Sequence, residues 1–131
     1  MTRLAPVVGV IVVTAALAAT QQPLGQPAAA PRSMEGTFEY VGTLKGQSML
    51  AGGRFVFLYQ PADGSGPMTG EAGTYRIARD TAIHTVTYST DPARVGTTFL
   101  WTTESWAGDT VSYVVMSAQR QVTGRGRSVR R

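Results

Sequence analysis

The stretch that decides the fold is Arg54-Phe55-Val56-Phe57-Leu58-Tyr59, followed almost at once by Pro61-Ala62-Asp63-Gly64-Ser65-Gly66-Pro67. β-Branched and aromatic residues fill the first segment and alternate between two faces, which is typical of a β-strand. The two prolines and the Asp-Gly pair of the second segment end that strand in a loop. The sequence therefore predicts a strand followed by a loop, and similar units recur along the chain.

Short strands and glycine-rich turns continue on both sides of this segment, and no window shows the 3.6-residue apolar period of a helix. Strands are predicted at residues 37–45, 54–59, 74–78, 82–90, 97–106 and 110–117. Residues 126–131 are predicted either to pair as a short seventh strand or to fray. Residues 46–53, which hold three glycines, are predicted to form a turn or loop. The short links favour an all-β fold, a small antiparallel up-and-down β-barrel of about 6–8 strands, with a β-sandwich as the alternative.

The N-terminal residues have a different composition from the rest. An apolar run over residues 7–19 follows the basic Arg3. It predicts a secretory signal peptide over residues 1–20, because a bilayer-spanning helix needs about 20 apolar residues. An uncleaved N-terminal anchor is the alternative. A Pro/Ala-rich linker is predicted at 21–33, before a barrel domain at 34–119, and the protein is predicted to be exported, to a periplasm or the medium.

The amino-acid composition excludes several kinds of covalent link, nucleophile and metal site. The 131 residues include no cysteine and one histidine, which excludes disulfides, thiol nucleophiles and thiolate or multi-histidine metal sites. No metal and no cofactor are predicted.

The charges are unevenly distributed along the chain. The sequence pI is about 10.0, but five of the twelve basic residues lie in Arg120–Arg131, which holds no acid. Residues 19–119 hold six basic and eight acidic residues. The basic character therefore belongs to an Arg-rich C-terminal tail or edge strand. Export and the absence of interleaved aromatic rings argue against nucleic acid, and an anionic envelope surface is the candidate partner of this segment.

The candidate site residues come from the predicted strands. Aromatic side chains that carry a polar group, such as tyrosine and tryptophan, would suit a small apolar ligand if they faced the interior of a barrel. The alternative is that the same side chains only pack in the core. The candidate ligand-binding residues are Phe57, Tyr59, Tyr75, His84, Tyr88, Trp101 and Tyr113. His84 and Glu104 are the candidate catalytic residues, with a hydrogen-bonded structural histidine and a surface ion pair as the respective alternatives. Alternation by itself leaves open which face of each strand points inward.

Several short motifs, in this order and spacing, resemble the bacterial lipocalin-like domain family. They are Glu35-Gly36-Thr37-Phe38, Ala72-Gly73-Thr74-Tyr75-Arg76, His84-Thr85-Val86, Tyr88-Ser89-Thr90-Asp91-Pro92, Val95-Gly96-Thr97-Thr98 and Gly108-Asp109-Thr110. The match covers about residues 34–118, with Phe38 at a tryptophan position of the family and a short Gly-rich link at 46–53. The resemblance implies a calycin-type barrel with an interior site for a small apolar molecule. The family supplies a fold more than an activity.

Three functions agree with these observations. The favoured one is an exported, non-enzymatic barrel that binds a small hydrophobic molecule. The second is a cofactor-free isomerase or cyclase, in which His84 points into the cavity within reach of Glu104 or a tyrosine. The third is an envelope-associated structural module that uses Arg120–Arg131.

Overall fold

A computed structural model of the chain describes residues 32–131, so the predicted signal peptide and most of the predicted linker lie outside the described residues. Eight antiparallel strands, each paired with the next in sequence, form a closed barrel. The strands are β1 Gly36–Val41, β2 Leu44–Ala51, β3 Arg54–Pro61, β4 Thr69–Ala78, β5 Thr81–Ser89, β6 Thr98–Ala107, β7 Thr110–Ser117 and β8 Val122–Arg130. The predicted up-and-down barrel is confirmed, and the sandwich alternative is excluded.

Strand alternation divides the barrel wall into an apolar interior and a mixed exterior. In β3, Phe55 and Phe57 are buried, whereas Val56 and Leu58 are about half exposed on the outer face. Burying one such ring contributes about 1.5–3 kcal/mol. The described residues include one short 3-10 helix, Pro92–Arg94, between β5 and β6. No helix among residues 32–131 is long and apolar enough to cross a membrane.

β2 occupies most of the segment that was predicted to be a loop. Its residues Gly46, Gln47 and Ser48 have little strand propensity, but β2 pairs with β3 along its whole length and with β1 over half of it. Ladder hydrogen bonds on both sides therefore outweigh local propensity, and the loop prediction for 46–53 is wrong. The turn itself is confined to Gly52 and Gly53, whose φ angles of 56° and 78° suit glycine.

The Arg-rich C-terminal segment is also part of the barrel. β8 pairs with β7 from Val122 onward and with β1 through Arg127–Arg130, so the strand has neighbours on both sides. The strand predicted at 126–131 is confirmed and begins earlier, at Val122. Because it has neighbours on both sides, it is neither a tail nor an edge strand, and the barrel does not end at residue 119. Register with β7 turns Gly124, Gly126 and Ser128 inward, and the arginines between them therefore face outward.

A β-bulge changes the direction of the side chains in β5. Ala72 is opposite Tyr88 and Gly73 is opposite Val86, so Thr87 is an extra residue without a partner. The alternation that turns His84 and Val86 inward is therefore interrupted, and Tyr88 points outward. β4 begins at Thr69, five residues before the predicted start at residue 74, and this extension contains Glu71.

One end of the barrel is closed by side chains. Met34, just before β1, packs there with Phe38, Trp106 and Val111, and the space left between them is about 10 Å³. The guanidinium of Arg130 covers this cluster, 5.3 Å from the centre of the Phe38 ring and 5.0 Å from that of Trp106. This end, the closed end, leaves no room for a ligand.

Candidate functional site

The opposite end of the barrel, the open end, contains a cavity of about 450 Å³. Its lower wall consists of the rings of Phe57, Phe99 and Tyr113, and its mouth is formed by the β1–β2 turn, the β5–β6 connection and the first half of β8. The inward positions of β8 at this level are Gly124 and Gly126. Gly124 leaves its part of the wall without a side chain, and no atom lies within 4 Å of the place where its Cβ would be.

A layer of packed rings separates the cavity from the closed end. His84 stacks on Phe99 with ring centres 4.6 Å apart and an angle of 6°, and its ring centre lies 5.9 Å from that of Trp101 at an angle of 28°. Trp101 meets Tyr113 edge-on at 4.3 Å. Tyr113 in turn occupies the space beside Gly126, where a Cβ atom would lie 2.5 Å from the phenol oxygen. These interlocked rings make a rigid floor under the cavity.

The main polar feature of the cavity is an ion pair between Glu71 of β4 and Arg94 of the 3-10 helix. The Glu71 side chain is 1% exposed and that of Arg94 is 38% exposed. The guanidinium donates through Nε to one carboxylate oxygen of Glu71 and through Nη2 to the other, at 3.2 Å for the second contact. These hydrogen bonds raise the pKa of Arg94. A buried carboxylate is stable here because a two-pronged cationic partner satisfies it.

Tyrosine hydroxyls supply further polar groups at the same level. The Tyr59 hydroxyl donates to Glu71 Oε1 at 3.4 Å. Burial, followed by the negative charge of Glu71, raises the pKa of Tyr59. Burial likewise raises the pKa values of Tyr40 and Tyr113. All three phenols therefore remain protonated at neutral pH and present neutral O–H groups.

The predicted ligand-binding residues are in three different places. Phe57, Tyr59 and Tyr113 line the cavity. Tyr75, His84 and Trp101 are buried in the core beneath it, where the Tyr75 hydroxyl donates to Glu35 at 2.5 Å. Tyr88 is 60% exposed on the outer face, so its prediction as an inward ring is wrong because of the bulge in β5.

His84 points inward but is fully buried and does not line the cavity. Burial among the rings lowers its pKa from 6.5 to about 4, so the imidazole is neutral at physiological pH. Within residues 32–131, neither ring nitrogen has a side-chain hydrogen-bond partner. The environment is that of a core aromatic residue, in which the backbone of Ala82 and Phe99 only partly offsets the effect of burial on the pKa.

Glu104 lies on the outside of the barrel. Its carboxylate is 3.5 Å from Arg125, and both side chains are largely exposed. The structure therefore does not bring Glu104 and His84 together, and the surface ion pair considered for Glu104 is what is observed. Among the described residues, no group of three His, Cys, Asp or Glu side chains could hold a metal ion.

Sequence reasoning missed Glu71 and Arg94. Glu71 is surrounded in sequence by Gly70, Ala72 and Gly73, which carry little strand signal, and its partner is 23 residues away. One weak signal was present for Arg94, which closely follows the Asp91-Pro92 pair that is typical of a helix start.

No family model, no curated protein and no solved structure matches this chain. The resemblance to the lipocalin-like domain family therefore stays a prediction, and the site has to be interpreted from its own geometry.

Proposed function

We propose that this protein is a binding protein that holds a small, mostly apolar molecule in the cavity at the open end of its barrel. The observation that carries this proposal is the cavity itself, whose volume of about 450 Å³ falls within the ~300–1,000 Å³ of small-molecule sites. A barrel of this size fills its interior with side chains unless small residues leave space. Here the space is confined to one end, beside Gly124.

The wall chemistry supports an apolar ligand with one polar end. Rings and aliphatic side chains form the lower part, whereas Glu71, Arg94 and the Tyr59 hydroxyl are grouped at one side. Apolar walls with a few convergent polar groups are typical of sites that orient a small molecule. The sequential, antiparallel eight-stranded barrel is also the architecture that the lipocalin-like resemblance implies.

An isomerase or cyclase activity has less support. The group proposed as its acid or base, His84, lies below the ring floor, and Glu104 lies outside the barrel. A general acid or base must come within hydrogen-bond reach of the substrate, directly or through one water. We therefore propose binding without catalysis.

Export is part of the proposal and rests on residues 1–20 alone. We expect the protein to be recovered outside the cytoplasm with its N-terminus near residue 21. Edman sequencing or intact-mass measurement of the exported protein would check this, and recovery of full-length chain in the cytoplasm would contradict it.

Binding to an anionic envelope surface can be tested at the outward-facing arginines of β8. Arg125 and Arg127 lie on the outer face of β8, the strand that closes the barrel between β7 and β1. Deleting residues 120–131 would remove this strand and open the barrel. Replacing both arginines with glutamine keeps the strand. If the surface binds through them, this double variant should lose salt-sensitive binding to anionic vesicles.

The main experiment fills the cavity with a large side chain and measures whether ligand binding is lost. Gly124 has an ordinary φ and open space where its Cβ would be, so Gly124→Phe should fold and occupy the cavity. The matched control is Thr85→Phe, because Thr85 is exposed on the outer face of β5. The probe is N-phenyl-1-naphthylamine, a neutral apolar dye that fluoresces when bound.

We expect the wild type and Thr85→Phe to bind the dye with equal affinity, and Gly124→Phe to bind it at least tenfold more weakly. Equal binding by all three proteins, or no binding by the wild type, would overturn the proposed function.

A further inference from the structure

Arg94 is held in place both by its backbone and by its guanidinium. Its backbone belongs to the 3-10 helix, in which the Asp91 carboxylate accepts from the amide of Ala93 at 3.1 Å and the Asp91 carbonyl accepts from the amide of Arg94 at 3.0 Å. At the other end, Glu71 binds Nε and Nη2 of the guanidinium. The guanidinium carbon lies 5.7 Å from the centre of the Phe99 ring. The position of this cation is therefore fixed before any ligand arrives.

Glu71 uses only one edge of that guanidinium. An arginine has five N–H groups, and Glu71 accepts from two of them. Within the part of the chain that the structure describes, the other N–H groups of Arg94 have no hydrogen-bond partner, and the side chain is 38% exposed. The remaining donors are thus available at the cavity mouth, next to the aromatic wall.

The charges around the mouth favour an anion over a cation. Arg94 keeps donors available at the mouth, whereas Glu71 already accepts from Arg94 through both carboxylate oxygens and from Tyr59 through Oε1. Arg125 and Arg127 lie on the outer face of β8 and do not contribute to this preference. A cationic ligand would have to displace Arg94 from Glu71 and would then lie beside the displaced guanidinium. An anion needs no such rearrangement, and low-dielectric walls strengthen its attraction.

We infer that the ligand is an anionic amphiphile, a molecule with an apolar body and a single carboxylate, sulfonate or phosphate group, and that Arg94 binds its headgroup. The apolar body lies against Phe57 and Phe99, and Glu71 acts as a positioning residue that orients the guanidinium. This inference rests on the proposed function, because it assigns a chemical class to the ligand of the same cavity.

The test compares two dyes that share one aromatic body. Anilinonaphthalene sulfonate carries an anionic group, and N-phenyl-1-naphthylamine lacks it. We expect the wild type to bind the sulfonate about tenfold or more tightly than the neutral dye, since a charge-assisted hydrogen bond contributes about that much. Raising the ionic strength should weaken binding of the sulfonate only.

The matched variant replaces both members of the ion pair with amides. Glu71→Gln/Arg94→Gln keeps hydrogen-bonding groups at both positions and leaves no unpaired buried charge. In this variant the ratio of the two dissociation constants should fall to about one, so the preference for the sulfonate should vanish. Arg54→Gln is the control, because Arg54 is exposed on the outer face of β3 and does not line the cavity. It should keep the wild-type preference.

A second measurement needs no variant. In ¹⁵N NMR spectra of the wild type, decanoate should shift the Arg94 Nε–H signal and decanol should not, although both should displace the neutral dye. Displacement by acetate or inorganic phosphate at the same concentrations would overturn the assignment to an amphiphile.

The outcomes separate the two proposals. If neither dye binds to the wild type, the proposed function is wrong. If both bind with equal affinity, or if the double amide variant keeps the preference, the cavity binds apolar molecules but the role of Arg94 is wrong.

Discussion

The two ends of this barrel use the same strands for opposite purposes. At the closed end, the inward side chains are large, and Met34, Phe38 and Trp106 leave about 10 Å³ between them. At the open end, glycines of β8 take inward positions, and about 450 Å³ remains. Arginines lie at both ends: Arg130 covers aromatic rings at the closed end, and Arg94 meets a buried carboxylate at the open one.

The comparison teaches that stability and binding are separated along the barrel axis. Filled volume and ring contacts at the closed end and in the middle layer supply the packing that a small domain needs. The open end can then keep an unfilled volume and a buried charge without unfolding the protein. Variants at the two ends should therefore have effects of different size and kind.

The largest effect should come from truncation at the closed end. Phe38 is 1% exposed and contacts Trp106, so Phe38→Ala should lower the free energy of unfolding by about 3–5 kcal/mol. Leu44→Ala, at the half-buried rim of the cavity, should cost about 1 kcal/mol. Urea denaturation of both variants measures the difference. Equal losses would contradict the separation of the two ends.

In the layer of packed rings between the two ends, His84 should make the stability of the protein depend on pH. The pKa of His84 is about 4 in the folded protein and near 6.5 in the unfolded chain. As the pH falls from 7 to 4, the unfolded chain takes up a proton that the folded protein does not, so stability decreases. The loss should reach about 3 kcal/mol.

His84→Phe provides the control for this prediction, because it keeps a ring in the layer and removes the titration. Carboxylates titrate in both proteins, so the difference between their stability–pH curves isolates the histidine. Parallel curves between pH 7 and 4 would show that His84 is not shielded from protons.

A smaller effect is expected from the ion pair at the open end. Arg94→Met leaves the Glu71 carboxylate buried without its cation, and we expect a loss of about 2 kcal/mol. The loss stays below that of a fully enclosed pair because water reaches Arg94. Glu71→Gln/Arg94→Gln should recover most of it, as measured by thermal unfolding. A double variant less stable than Arg94→Met would contradict this account.

The smallest effect on stability should come from a substitution on the outer wall of the barrel. Arg125 and Glu104 are 67% and 42% exposed in their side chains and 3.5 Å apart. Arg125→Gln should change the unfolding free energy by less than about 0.5 kcal/mol. A loss above 1 kcal/mol in urea denaturation would show that the outer arginines of β8 help to close the barrel.

Much of the fold could be predicted from local pattern. The alternation in β3 correctly predicts a strand with Phe55 and Phe57 on one face, and short links correctly predict neighbours in sequential order. β2 and β8 could not be predicted in full, because their glycines, serines and arginines form strands only when neighbours on both sides pair with them.

The site was less predictable than the fold. Rings such as Phe57, Tyr59 and Tyr113 were found because large aromatic residues in strands tend to face the interior. Tyr88 was misplaced because a single bulged residue reverses the alternation, and a bulge has no clear sequence signal here. Glu71 and Arg94 escaped notice because their importance lies in a contact between distant segments.

The pairing of β1 with β8 has a consequence for how the chain is made. Phe38 is opposite Arg130, so the first and last strands must meet before the barrel wall is complete. A ribosome that has synthesised seven strands has produced a sheet with two open edges, which cannot yet enclose the cavity or hide its backbone groups. Closure is therefore a late event in biosynthesis, because the strand that pairs with both β1 and β7 is synthesised last.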